Sequence, residues 1–178
     1  MVDDPDRRKF LSTAACAIGG GVGLVAAAPA LRLLVDPLGK TTVTSPTEPF
    51  DIGTPWRFVA DQPPQRIEIV APVVKDAWTA ARDVLIGAVY VRRTGPSPGD
   101  VDARSAICPH LGCAVSYDAG QKNYLCPCHD SRFALTGAKL TGPSERGLDD
   151  LPVQLTPDGR LKLTWIRYKI GKTTKEPV

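Results

Sequence analysis

Both histidines of this 178-residue chain lie within two residues of a cysteine. One segment reads Cys108-Pro109-His110-Leu111-Gly112-Cys113; after twelve further residues a second reads Cys126-Pro127-Cys128-His129. Thiolate and imidazole together select zinc or iron–sulfur chemistry over magnesium or calcium, which take oxygen ligands. A tetrahedral zinc site uses about four ligands, typically as closely spaced cysteine and histidine pairs. Here each segment supplies one Cys, one His and an additional Cys, which leaves Cys113 and Cys128 unexplained by tetrahedral zinc. A satisfied core histidine or an inert buried cysteine accounts for any one of the six, but not for all of them together.

The surplus fits a mixed-ligand [2Fe–2S] cluster, in which two Cys hold one iron and two His the other. Cys108-x-His110-x-Gly112-Cys113 with Cys126-Pro127-Cys128-His129 closely resembles the paired motif of the Rieske family. The resemblance implies that Cys108 and Cys126 bind one iron and His110 and His129 the other, with Cys113 and Cys128 joined as a disulfide between the two segments. It also implies two hydroxyl donors to cluster sulfur after the second motif. Ser131 matches the first, whereas Phe133 stands where Tyr is common. One donor fewer destabilises the reduced, more negative cluster and lowers its potential, which suits menaquinol better than ubiquinol. Gly142-Pro143-Ser144 resembles the proline loop that shields the cluster in quinol-oxidising members; by itself Gly-Pro is an ordinary turn signal.

Neutral imidazoles in place of two thiolates make such a cluster easier to reduce, in a range of roughly −150 to +300 mV. Their outer nitrogens can titrate, and added negative charge on the iron raises their proton affinity. His110 and His129 are therefore suited to couple electron uptake to proton uptake from a quinol.

These segments need a rigid scaffold. Arg66-Ile67-Glu68-Ile69-Val70 and Arg160 to Ile166 alternate as strands do, and Val84 to Val91 is a β-rich run. Asp158-Gly159 is a hairpin turn signal that pairs Val153-Gln154-Leu155 with the last strand. Gly (16) and Pro (17) interrupt the chain too often for a helical bundle. The pattern predicts an all-β, antiparallel sandwich or small-barrel head over 56–178, of the Rieske type by resemblance, presenting cluster loops at 108–113 and 126–133. The net charge of +3 comes without a basic stripe bearing interleaved aromatics, which argues against nucleic-acid binding.

Much of the 43% hydrophobic content belongs elsewhere. Phe10 to Leu31 carries no charged residue, and as a helix spans roughly 33 Å against a hydrocarbon core of about 30 Å. We expect a tail at 1–9, a retained transmembrane anchor at 10–36 and a flexible Thr/Ser/Pro-rich tether at 37–55. Arg7-Arg8 resembles a twin-arginine export signal, and with Lys9 also meets the positive-inside rule, placing the N-terminus in the cytoplasm and the head on the extracytoplasmic side. Gly19, Gly20, Gly21 and Gly23 suit close helix packing in a membrane, and Cys16 is a small apolar residue of the span. Export after folding reconciles cluster assembly in a reducing compartment with a disulfide that persists only in an oxidising one.

The resemblance extends over the anchor, the run Leu31 to Leu38, the tether and all three loops. It implies the Rieske subunit of a cytochrome bc-type quinol oxidoreductase, closest to the bacterial menaquinol branch. The implied partners are quinol at a cytochrome b subunit and a c-type cytochrome acceptor, within a dimeric multisubunit complex of the inner membrane. The chain alone should turn over nothing. The competing resemblance is to the Rieske small subunit of arsenite oxidase, an exported partner of a molybdenum enzyme.

Overall fold

The computed structural model describes residues 5–40, 42–43 and 48–178. Most of the Thr/Ser stretch expected as a tether, at 41 and 44–47, lies outside them. Two compact units separate, one comprising 1–42 with 75–80 and the other 43–74 with 81–178.

In the first unit, Pro5–Val35 forms helix α1, whose apolar stretch is long enough to cross a membrane and has no residue buried within the protein. It starts before the expected boundary at residue 10, so Arg7 and Arg8 lie in its first turns. It stops two residues before Pro37, whose ring disfavours helix at the preceding position. Pro29 lies inside the helix. Among the described residues, a Cβ on Gly19, Gly20, Gly21 or Gly23 would meet nothing within 4 Å. In the segment 75–80, the Asp76 carboxylate accepts from the Trp78 and Thr79 amides.

The second unit bears out the antiparallel β expectation. Phe50–Gly53 (β1), Val153–Leu155 (β9) and Leu161–Leu163 (β10) form one antiparallel sheet in the order β1-β10-β9. Gly159, at φ +75°, makes the β9–β10 turn that the Asp-Gly pair signals. A second sheet orders Gln65–Lys75 (β2), Ala80–Arg93 (β3) and Val101–Ser105 (β4), with β3 and β4 antiparallel. The third is an antiparallel meander of Ser116–Asp118 (β5), Asn123–Cys126 (β6), Ser131–Phe133 (β7) and Lys139–Thr141 (β8). The head thus begins before residue 56. β1 pairs with β10, and Ile52 is buried within it, because Phe50 and Ile52 restore alternation after the Thr/Pro stretch.

Strand β3 divides two cores. Val89 and Val91 face Ile52, Phe58, Ile69, Leu161, Leu163 and Trp165. Ala88 and Tyr90 face Cys108, Val115, Tyr124, Cys126, Phe133 and Leu148. Ala88 to Val91 are buried on both faces of β3, which accounts for the apolar residues there, whereas Leu85 earlier in the run is exposed. The first core packs closely: a Cβ on Gly87 would lie 2.3 Å from the Trp165 ring, so only glycine leaves room for that indole.

Candidate metal centre

Both cysteine–histidine loops leave the second core and return to it. The first opens at Cys108 after β4. It is closed by Cys108 N–H donating to Cys113 O at 2.8 Å, with the Gly112 amide donating to Cys108 O at 2.9 Å. Gly112 sits at φ +80°, a turn that a side chain would strain. The second loop is the short connection between β6, which ends on Cys126, and β7, which begins on Ser131. Its reversal uses Asp130 at φ 53°, a conformation that Asp tolerates better than most residues. Cys113 and Cys128 form a disulfide across the two loops, with Cα atoms 6.6 Å apart.

The donors are sorted by depth. Cys108 and Cys126 are free thiols, 1% and 2% exposed, whereas His110 is half-buried and His129 exposed. The imidazole centroids are 5.0 Å apart with rings nearly perpendicular. Burial pushes the Cys108 thiol up to about 11, opposed by the His110 amide at its sulfur and reinforced by the adjacent Cys126. Without a metal the Cys108 thiol holds its proton, and metal binding must displace it. The sulfur-bearing side chains of Cys113, Cys126 and Cys128 also lie within 4.8 Å of one another, but two of them are spent in the disulfide and offer no thiolate. The donor set that remains is two sulfurs inside and two imidazoles outside. Two thiols and two imidazoles are the donors a mixed-ligand two-iron centre requires, with Cys113 and Cys128 accounted for by the disulfide.

Behind the loops, Ser131 is fully buried, and its Oγ accepts the Ser144 amide at 3.2 Å, which leaves its own proton for another acceptor. Phe133 is also fully buried, packed in the core that contains Cys108 and Cys126. Gly142, at φ +91°, passes so close to β7 that a Cβ would lie 2.4 Å from the Ser131 Cα. The Gly142-Pro143-Ser144 segment is thus pinned against the start of β7, with Pro143 exposed.

Sequence reasoning placed every one of these side chains near the two loops and missed what lies behind them. Ser144 Oγ donates to Arg146 O at 2.8 Å, and the Arg146 guanidinium forms a buried two-pronged pair with Asp149 at 2.9 and 2.8 Å. The only available signal was two opposite charges three residues apart around Gly147-Leu148, which on its own reads as solvated surface.

The sequence profile of the Rieske [2Fe-2S] domain matches residues 74–152. The menaquinol:cytochrome c reductase iron–sulfur subunit of Geobacillus thermodenitrificans is 30% identical over 166 residues, covering 88% of this chain and 89% of that one. The cytochrome b6-f complex iron–sulfur subunit of Synechococcus elongatus is 35% identical over 74 residues, 41% of each chain. Among solved structures, the plasma-membrane Rieske protein of Synechocystis PCC 6803 is 23% identical with a TM-score of 0.43, covering 65% of this chain and 99% of that one.

Proposed function

Because the chain belongs to the Rieske [2Fe–2S] family, in its branch of cytochrome bc-type iron–sulfur subunits, we propose that it carries electrons in such a complex, from quinol at a cytochrome b subunit to a c-type cytochrome. When bound, the cluster supplies a one-electron acceptor that works at roughly −150 to +300 mV. The observation that carries the proposal is the placement of two imidazoles 5.0 Å apart on the outside of a buried pair of thiols.

Each residue then has a defined task. Cys108 and Cys126, as thiolates, would hold one iron of the cluster, in a core shared with Tyr90, Tyr124 and Phe133. His110, half-buried, and His129, exposed, would hold the other iron and leave a ring nitrogen free to exchange a proton. There an imidazole can accept the proton that a quinol hydroxyl gives up as its electron leaves. Ser131 donates its free hydroxyl proton toward sulfur. The disulfide fixes the spacing of the two loops, and Gly142-Pro143 keeps water from their rear.

Helix α1 anchors the chain in the membrane as a single pass. Arg7, Arg8 and Lys9 remain on the cytoplasmic side, the head lies on the opposite, oxidising side where the Cys113–Cys128 disulfide persists, and the stretch after α1 is the tether. The match to the Geobacillus subunit along most of both chains supports a bc-type host and a menaquinol donor.

Purification of the tagged chain from its own membranes in mild detergent tests the proposal. Recovery with cytochrome b and c subunits, and reduction of the rhombic paramagnetic centre by a menaquinol analogue, are the expected results. Recovery with a molybdopterin subunit instead would overturn it.

A further inference from the structure

After β10, residues 167–178 fold back on themselves. The Val178 amide donates to Arg167 O and the Lys169 amide to Glu176 O, each at 2.9 Å, and Tyr168 pairs with Pro177. Lys169 and Glu176 add an ion pair at 3.1 Å. This segment lies beyond the 74–152 match to the Rieske domain profile, and it touches the first cluster loop directly. The Gly171 amide donates to Pro109 O at 2.8 Å, between Cys108 and His110. Gly171 sits at φ +64°, and a Cβ there would come within 3.8 Å of His110 O. On the facing side, a Cβ on Gly112 would touch the Ile170 side chain at 3.8 Å.

Arg146 holds this hairpin in place. Its guanidinium grips both oxygens of Asp149, and its remaining donors reach Lys172 O at 2.6 Å and Lys169 O at 3.0 Å, the carbonyls flanking the Ile170-Gly171 pair. Arg146 is 8% exposed and Asp149 5%, so the charges are desolvated. For stability alone an apolar pair of similar volume serves as well as a buried ion pair. What only a planar five-donor fork supplies is a simultaneous hold on one carboxylate and two carbonyls. Through Ser144, the same residue is joined to Ser131 at the start of β7.

We propose that Arg146 is a positioning residue for the cluster: by clamping the 167–178 hairpin it makes Gly171 hold the Cys108–Cys113 loop, and so fixes the orientation of the His110 imidazole at the iron. The inference depends on the cluster alone and not on the host complex, so it survives a different partner.

The test uses the full chain, loaded with its cluster, in detergent. Arg146→Lys keeps a charge beside Asp149 but cannot span both carbonyls. It is expected to shift and broaden the paramagnetic spectrum of the reduced protein and to release iron to a chelator roughly 10-fold faster, the size typical of lost outer-shell support. Arg146→Met with Asp149→Leu restores an apolar interior without remaking the carbonyl bonds. Its melting temperature should recover while the altered spectrum and fast iron release persist. A native spectrum and native iron release in Arg146→Lys, or recovery of both by the double variant, overturns the proposal. If neither variant folds, hydrogen exchange of the unaltered protein decides: the Gly171 amide must exchange slowly, and rapid exchange there overturns the clamp.

Discussion

On one face of β3, Val89 and Val91 join Ile52, Ile69, Leu161, Leu163 and Trp165; on the other, Ala88 and Tyr90 join Cys108, Tyr124, Cys126, Phe133 and Leu148. The first core is almost entirely hydrocarbon. It draws its stability from removing apolar surface from water, at about 25 cal/mol per Å², and from dense packing such as Trp165 over Gly87. The second holds thiols and phenols, and it is held by directional and covalent contacts: a disulfide, Tyr90 donating to Val115 O at 3.2 Å, and the close pass of Gly142 over Ser131. One strand thus joins a hydrocarbon core to a core organised around two buried thiols.

The largest expected effect probes whether the two are separable. Cys126→Ser should abolish the visible absorbance and paramagnetic signal of the cluster, while far-ultraviolet circular dichroism shows the β head still folded. Loss of both signals together would mean that the hydrocarbon core depends on the cluster after all. The converse change, Leu161→Ala, should destabilise the head by about 2–5 kcal/mol in denaturant titration, because it empties a fully buried position. The cluster's midpoint potential should stay where it was.

Tyr124 offers a smaller effect. Among the described residues its hydroxyl is buried with no hydrogen-bond partner, and burial pushes the phenol above its ordinary range. A raised acid favours the neutral form, so its stabilising contribution is complete below about pH 10, the unfolded phenol value, and is lost as pH rises toward the folded one. Tyr124→Phe should remove this part of the alkaline loss in thermal melts across pH. At neutral pH it should stabilise the head by about 1 kcal/mol, the relief of an unpaired buried polar group. The smallest change in structure is Phe133→Tyr, which adds a donor beside the buried cysteines and should raise the midpoint potential. An unchanged value in protein-film voltammetry would leave Phe133 as packing alone.

The same contrast governs what could be read from the chain. Strands β2, β3 and the β9–β10 hairpin were legible because burial on one or both faces writes itself into alternation or continuous runs. The cysteine–histidine motif was legible because few arrangements use two Cys-Pro segments with two histidines. Strands β5 to β8 were not, since each has only three or four residues and, unlike the β9–β10 hairpin, no Asp-Gly turn or longer alternating run marks them. β1 was hidden at the end of a Thr/Pro stretch whose composition suggested no fold at all. The Arg146–Asp149 pair escaped because a buried ion pair is identical in sequence to a solvated one. The 167–178 hairpin escaped because its anchors are backbone amides and carbonyls, which every residue possesses.

Pro29 in helix α1 has a consequence for how the chain leaves the bilayer. A proline has no amide hydrogen, so the carbonyl of Val25, four residues earlier, loses its ladder partner, and the ring pushes that turn open. Deep in hydrocarbon such an orphaned oxygen costs several kcal/mol. The uncharged run ends at Leu31, with Arg32 next, so the Val25 carbonyl lies about 9 Å inside the end of that run at the helical rise. Carrying that oxygen through hydrocarbon therefore calls for a donor from a neighbouring helix or an ordered water at this one turn, a demand the rest of the ladder does not make.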